Sequence, residues 1–149
     1  MGSRIDLSSE LGEGFGLYDI APEAEIMPHV TSAHVAGGFH AGDPHTMRET
    51  LELAARHDVA VGAHPGLPDR IGFGRRELDA TPEQVADYVT YQIGAVSATA
   101  RRVGLEPAFV KPHGALYSML AADEDLCRTV LSAIHAVDED LIFVPVDPA

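Results

Sequence analysis

The hydrophobic and polar positions along the chain fall into an alternation of short apolar runs and longer stretches of helical period. A first strand is expected to begin at about Arg4 and to empty at Ser8 into the glycine-rich loop 9–16. Ala21 to Met27 has the length of a short helix, with Pro22 near its start and Pro28 ending it. A second strand follows from about Val30. Asp43-Pro44 then has the chemistry of a helix start, because proline at the first helical position forfeits no hydrogen bond and the aspartate accepts one from the first turn. Met47, Leu51, Ala54 and Ala55 keep the helical period with charges on the opposite side. Val59 to Ala63 reads as a buried strand ending at His64. Thr81-Pro82-Glu83-Gln84 is a capping box opening a helix whose apolar face runs from Val85 to Val103, with Gly104 as its stop. Phe109 to Lys111 is the fourth strand, Asp123 caps a further helix, and Leu141 to Val146 is the fifth strand.

Strands beginning near residues 4, 30, 59, 107 and 141 with helices between them imply a parallel sheet with right-handed crossovers. Five units do not close a barrel. The expectation is an α/β fold, a single β/α domain over 1–149, with two open sheet edges that call for more chain, a partner or a second copy.

Three predicted strands end in histidine: VAGGFHAGDP (35–44), GAHPG (62–66) and VKPHG (110–114). Ligands of α/β folds gather at the carboxyl ends of strands, so His40, His64 and His113 are expected to share one site. Gly37 and Gly38 allow something to approach the backbone closely. Asp6, Glu10 and Glu13 are expected to add carboxylates to the same rim. Segment 65–80 is long and rich in Gly, Pro and Arg, as binding loops and lids are.

Composition narrows the partners. Ten basic residues against 23 acidic ones give a formal charge of −13, which argues against nucleic acid or an anionic membrane surface. The few cations are therefore read locally, with Lys111 at a strand end and Arg75-Arg76 in a glycine-rich loop placed to meet an anion. One cysteine, Cys127, excludes an internal disulfide and fits a reducing compartment, and no signal-peptide or spanning pattern is seen, so a cytoplasmic location is expected. Converging imidazoles and carboxylates are the ingredients of a Zn, Mn or Fe site that activates water. The competing account is metal-free, with a histidine or carboxylate as general base and Lys111, Arg75 or Arg76 stabilising negative charge.

The stretches DLSSELGEGFG (6–16), SAHVAGGFHAGDP (32–44), GAHPGLPDRIGFGRR (62–76), YQIGA (91–95) and VKPHGALYS (110–118) resemble successive motifs of the LamB/YcsF family, the group that provides the A subunit of 5-oxoprolinase. The resemblance implies a parallel (β/α) barrel-like fold of the glycoside hydrolase/deacetylase type, of which this chain would be an incomplete, N-terminal part. It implies ATP-dependent hydrolysis of the cyclic amide 5-oxoproline to glutamate, with Mg accompanying the ATP and two other subunits as partners. Carried onto this sequence, it implies catalytic roles for Asp6, Glu13, His40, His64, Lys111 and His113. Gly37, Gly38, Asp43, Asp69, Arg75, Arg76 and Gln92 would bind substrate or phosphate. Asp6, His40, His64 and His113 would be ligands if a divalent metal is held. The sequence departs from the family pattern at Ser8, Glu10 and Ser118, and in the 32–44 motif His34 and one of the two glycines, Gly37-Gly38, stand where the family reads asparagine and cysteine. The alternatives are a metal-dependent deacetylase or carbohydrate hydrolase, and a non-catalytic subunit that binds a small acid. Self-association through the open edges is a further expectation.

Overall fold

The computed structural model describes residues 5–145. Five strands, β1 (Ser8–Leu11), β2 (Ser32–Ala36), β3 (Ala60–His64), β4 (Phe109–Val110) and β5 (Ile142–Phe143), pair in parallel in the order of the chain. Between them lie α1 (Glu23–Ile26) with a 3₁₀ turn at Met27–His29, α2 (Pro44–Arg56), α3 (Pro82–Arg102), α4 (Gly114–Ala122) and α5 (Glu124–Val137). Strand order that advances in one direction, with crossovers of one hand, puts the helices on one face of the sheet. This is the winding of a β/α barrel; a doubly wound sheet reverses its order.

The two faces differ in chemistry because side chains alternate along each strand. One row in register, Leu11, Val35, Ala63 and Val110, is buried against the helices. With Leu51 of α2, Ile93 of α3 and Ile134 of α5 it forms the core. Each fully buried aliphatic side chain of this size stabilises by about 1.5–3 kcal/mol. The adjacent row, Glu10, His34, Gly62 and Phe109, points to the opposite, concave face. Glu10 is only half-buried there and Ile142 is exposed.

The helix starts follow from their caps. Asp43 accepts hydrogen bonds from the backbone N–H groups of His45 and Thr46, Thr81 and Gln84 form the reciprocal capping box, and Asp123 accepts from Asp125 and Leu126. Two boundaries differ from expectation. Strand β1 begins at Ser8 and runs to Leu11, so Ser9, Glu10 and Leu11 belong to the ladder and not to the following loop; Arg4 lies outside the described residues. The fifth strand is shorter than expected, and Val146 is outside the described residues. Helix α4 is an additional element, apolar on nearly all sides, and therefore without the one-sided period that marks a surface helix. His45 and His135, on the outer faces of α2 and α5, and His57, just past the end of α2, are exposed.

Candidate functional site

Three strand ends bring His40, His64 and His113 together. His64 closes β3, His40 lies in the loop after β2, and His113 caps α4 just beyond β4. All three are buried, and the rings of His40 and His113 stack 3.8 Å apart and 6° from parallel. Glu13, from the loop after β1, completes the group. One ligand atom from each of Glu13, His40, His64 and His113 falls within 4.8 Å of the others. Four ligands around a tetrahedral ion at bond lengths near 2.0–2.1 Å would be about 3.3 Å apart. The observed separations run through that value: 2.8 Å between His40 Nε2 and Glu13 Oε1, 3.0 Å between His64 Nε2 and His113 Nδ1, and 3.5 Å between His113 Nδ1 and Glu13 Oε1.

The tautomers add a constraint. His64 donates its Nδ1–H to the carbonyl of Lys111 at 2.6 Å, and His113 donates its Nε2–H to the carbonyl of Phe73 at 2.8 Å. The nitrogens that remain, His64 Nε2 and His113 Nδ1, then face each other with lone pairs, beside a carboxylate oxygen. Such a convergence of acceptors requires a cation between them, either a shared proton or a metal ion. Burial holds His40 and His113 in the neutral, ligating form, pushing their pKa values down to about 3 and about 4, with the neighbouring imidazoles adding to the effect.

Around this centre the carboxylates are differentiated. Glu10 lies 3.5 Å from His64 Nε2 and accepts from Lys111 Nζ at 2.9 Å; its pKa is held well below the usual carboxylate range first by His64, when that imidazole carries the shared proton on Nε2, and then by Lys111. Glu13 is pushed upward by burial, against the pull of His64 and His113. His34, beneath the cluster on β2, is buried edge-on to Phe109 with ring centroids 4.9 Å apart. Its Nδ1, like that of His40, has no hydrogen-bond partner among the described residues.

The loop from β3 roofs the site. A β-carbon on Gly66 would come within 2.7 Å of His40 Cγ, and one on Gly74 within 2.7 Å of His40 Cβ and 3.1 Å of His113 Cδ2. Only glycine lets the roof come so close. Phe73, at φ 55° in the left-handed region, turns its carbonyl onto His113.

Several expected site residues brace this roof. Arg76 is ion-paired with Asp69, which also accepts from Gly72 N at 2.9 Å. Gln92, wholly buried on α3, accepts from Gly66 N at 3.0 Å and donates to Gly66 O at 2.8 Å. Its stem occupies the space a side chain on Gly37 would need. Gly38 has φ 97°, and its carbonyl accepts from Arg70. Asp43 is committed to capping α2 and to Gly16 N. Arg75 is exposed, with its guanidinium 5.6 Å from the ring of Phe73.

Asp6 is not brought to the cluster. It accepts from Thr31 and Ser32 at the amino-terminal end of β2, because β1 starts two residues after it. His34 and Phe73 were not singled out as site residues from sequence. The signal for His34 was alternation, since it shares its strand face with Ser32 and Ala36. Phe73 gave none, because its contribution is a backbone carbonyl.

Consecutive parallel strands with a histidine–carboxylate centre at their carboxyl ends define the class: an α/β protein of the β/α-barrel type, with its polar site at the strand ends. Within that class the chain belongs to the LamB/YcsF family, whose model matches residues 5–148. It is 53% identical over 141 residues to a Pyrococcus horikoshii protein named as the A subunit of 5-oxoprolinase, covering 95% of this chain and 55% of that one. A Bacillus subtilis protein of the same name is 52% identical over 139 residues, covering 93% and 54%. The fold superposes on the crystal structure of a lactam utilization protein from Thermus thermophilus with a TM-score of 0.95, at 44% identity, over 99% of this chain and 60% of that one. The chain thus spans little more than half the length of these relatives. No helix among the described residues is long and apolar enough to cross a membrane.

Proposed function

We propose that this chain supplies the lactam-opening site of an ATP-dependent 5-oxoprolinase, working with two other subunits and as one run of β/α units in a longer barrel. The observation that carries the reading is the Glu13–His40–His64–His113 centre, in a chain about half identical to proteins named for this activity. The donor set, three imidazoles and one carboxylate, suits a borderline divalent ion such as Zn, Mn or Fe. The chemistry such an ion supplies is stabilisation of charge on a carbonyl or phosphoryl oxygen.

The chain's own groups have distinct parts. Glu10, kept ionised, accepts a hydrogen bond from the attacking water and orients it. Lys111, beside it, faces the substrate carboxylate or a phosphate. The roof of Gly66 and Gly74 keeps solvent from the imidazoles. Opening a lactam is uphill near neutrality, so phosphorylation of the amide oxygen by ATP precedes attack. One water adds to that carbon and the ring C–N bond breaks, the nitrogen taking the proton that this water gives up and leaving an acyl phosphate, which a second water hydrolyses to the new carboxylate and inorganic phosphate. The sequence contains no GxxxxGK[ST] loop, and ATP with its Mg is assigned to the assembled complex. The test is glutamate release from 5-oxoproline and ATP by the assembled subunits. The wild type is expected to turn over and His64→Ala to lose at least about 100-fold; equal rates would refute the reading.

A further inference from the structure

The three histidines of the centre are not held alike. His64 and His113 each have the nitrogen that points away from the cluster fixed by a backbone carbonyl, of Lys111 and of Phe73 respectively. The corresponding nitrogen of His40, Nδ1, is buried without a partner. Its ring is oriented by the Nε2 contact with Glu13 at 2.8 Å, by the stack on His113 and by the glycines above it. His40 is therefore placed by its loop. Among the described residues, 38–42 take part in none of the backbone–backbone hydrogen bonds outside helices and strands. Gly38 and Gly42, at the two ends of that loop, have φ of 97° and 78°.

Arg70 joins the two ends. Its guanidinium donates through Nη1 to the Gly42 carbonyl at 3.0 Å and through Nη2 to the Gly38 carbonyl. One planar group thus bridges the loop, with His40 midway between the anchors, in a two-armed geometry that arginine has and lysine lacks. The same guanidinium lies 4.0 Å over the ring of Phe15, two residues beyond Glu13. The Glu13 loop also presses on this junction directly, since a β-carbon on Gly42 would come within 2.6 Å of the Gly12 carbonyl oxygen. Arg70 itself belongs to the roof loop and follows Asp69, which is tied to Arg76 and to Gly72 N. The loops that carry Glu13 and His40 and the roof that covers them therefore meet at one side chain. We infer that Arg70 is the positioning residue of the centre. It holds His40 against Glu13 through the backbone at Gly38 and Gly42, as the carbonyls of Lys111 and Phe73 hold His64 and His113 through their rings. Every partner in this clamp lies in the loops after β1, β2 and β3, and its action requires no open surface.

The experiment compares the wild type with Arg70→Met, Arg70→Lys and a control, Val130→Ala, which removes buried apolar volume on α5 and so lowers stability without touching the clamp. Circular dichroism and thermal melts verify that each variant folds. In the metal-free chain, imidazole proton–nitrogen NMR spectra report the histidines directly. In both Arg70 variants the signals of His40, and of His113 stacked on it, are expected to shift or broaden, while the exposed His135 keeps its position. The control is expected to melt earlier with the His40 and His113 signals unmoved. Zinc affinity, measured by calorimetry on the same samples, should weaken by about 10- to 100-fold in both Arg70 variants and by less than about 3-fold in the control. Arg70→Lys keeps the charge but serves one carbonyl at a time, so it is expected to rescue neither readout. A wild-type spectrum and affinity in Arg70→Lys would overturn the bridging role and leave only a charge. Unmoved His40 and His113 signals in Arg70→Met would overturn the inference whether or not zinc binds. Signals that move in a chain whose wild type binds no zinc would uphold the clamp and refute the metal reading of the centre.

Discussion

Gln92→Met separates a bracing role from a ligand-contacting one. Methionine keeps the volume and the apolar stem that packs on Gly37 but removes the amide. The amide is fully buried and serves both backbone groups of Gly66, through bonds of 3.0 and 2.8 Å. Its third bond, to the Tyr88 carbonyl at 2.9 Å, is cheap to lose because that oxygen can still accept from within the helix. Two backbone groups are therefore left buried without partners, at about 1–3 kcal/mol each. A destabilisation of about 3 kcal/mol is expected, which for a chain of this size lowers the melting temperature by about 6–12 °C. Urea unfolding is the assay, with an unchanged m-value showing that only stability has moved. A loss below about 0.5 kcal/mol, accompanied by weaker 5-oxoproline binding, would refute the bracing role and make Gln92 a substrate contact.

Gly66→Ala is expected to push His40 aside, since the new β-carbon would come within 2.7 Å of its Cγ, and to weaken Zn binding by at least about 10-fold in calorimetry; unchanged affinity would mean the roof yields freely. Stability should also fall on acidification. Burial lowers His34, His40 and His113 to about 4, 3 and 4, so the unfolded chain binds more protons below about pH 6.5, and their contribution, whole above that value, is lost as pH falls towards 4. Glu10, held low chiefly by His64, acts in the same direction below its ordinary range, while Glu13, raised by burial, opposes it. The metal-free urea midpoint should therefore drop between about pH 7 and about pH 4.5, and a flat or rising midpoint would contradict the burial argument.

The strand-to-histidine rhythm was legible because each of β2, β3 and β4 is a short apolar run that stops near a histidine. The caps at Asp43, Thr81 and Asp123 were legible for a similar reason: local hydrogen-bonding chemistry decides them. Asp6 shows where such reasoning fails. With β1 running from Ser8 to Leu11, five residues at about 3.3 Å each leave Asp6 roughly 16 Å below the strand end, whereas the same shift puts Glu10 on the concave face beside Lys111. Asp69, Arg76 and Gln92 carry the residue types of an anion site, yet Asp69 and Arg76 pair with each other across their own loop and Gln92 pairs with the Gly66 backbone, pairings that only the fold reveals. Helix α4 escaped because an element apolar on nearly all sides has no period to read.

His64 Nε2 and His113 Nδ1 meet as acceptors beside Glu13, and a calorimetric titration of the metal-free chain with zinc tests most directly whether a metal ion joins them. The expected result is one ion per chain, bound with release of protons, lost in His113→Ala and retained in His45→Ala, whose imidazole is on the surface. Absence of stoichiometric binding, or binding that survives His113→Ala, would contradict it.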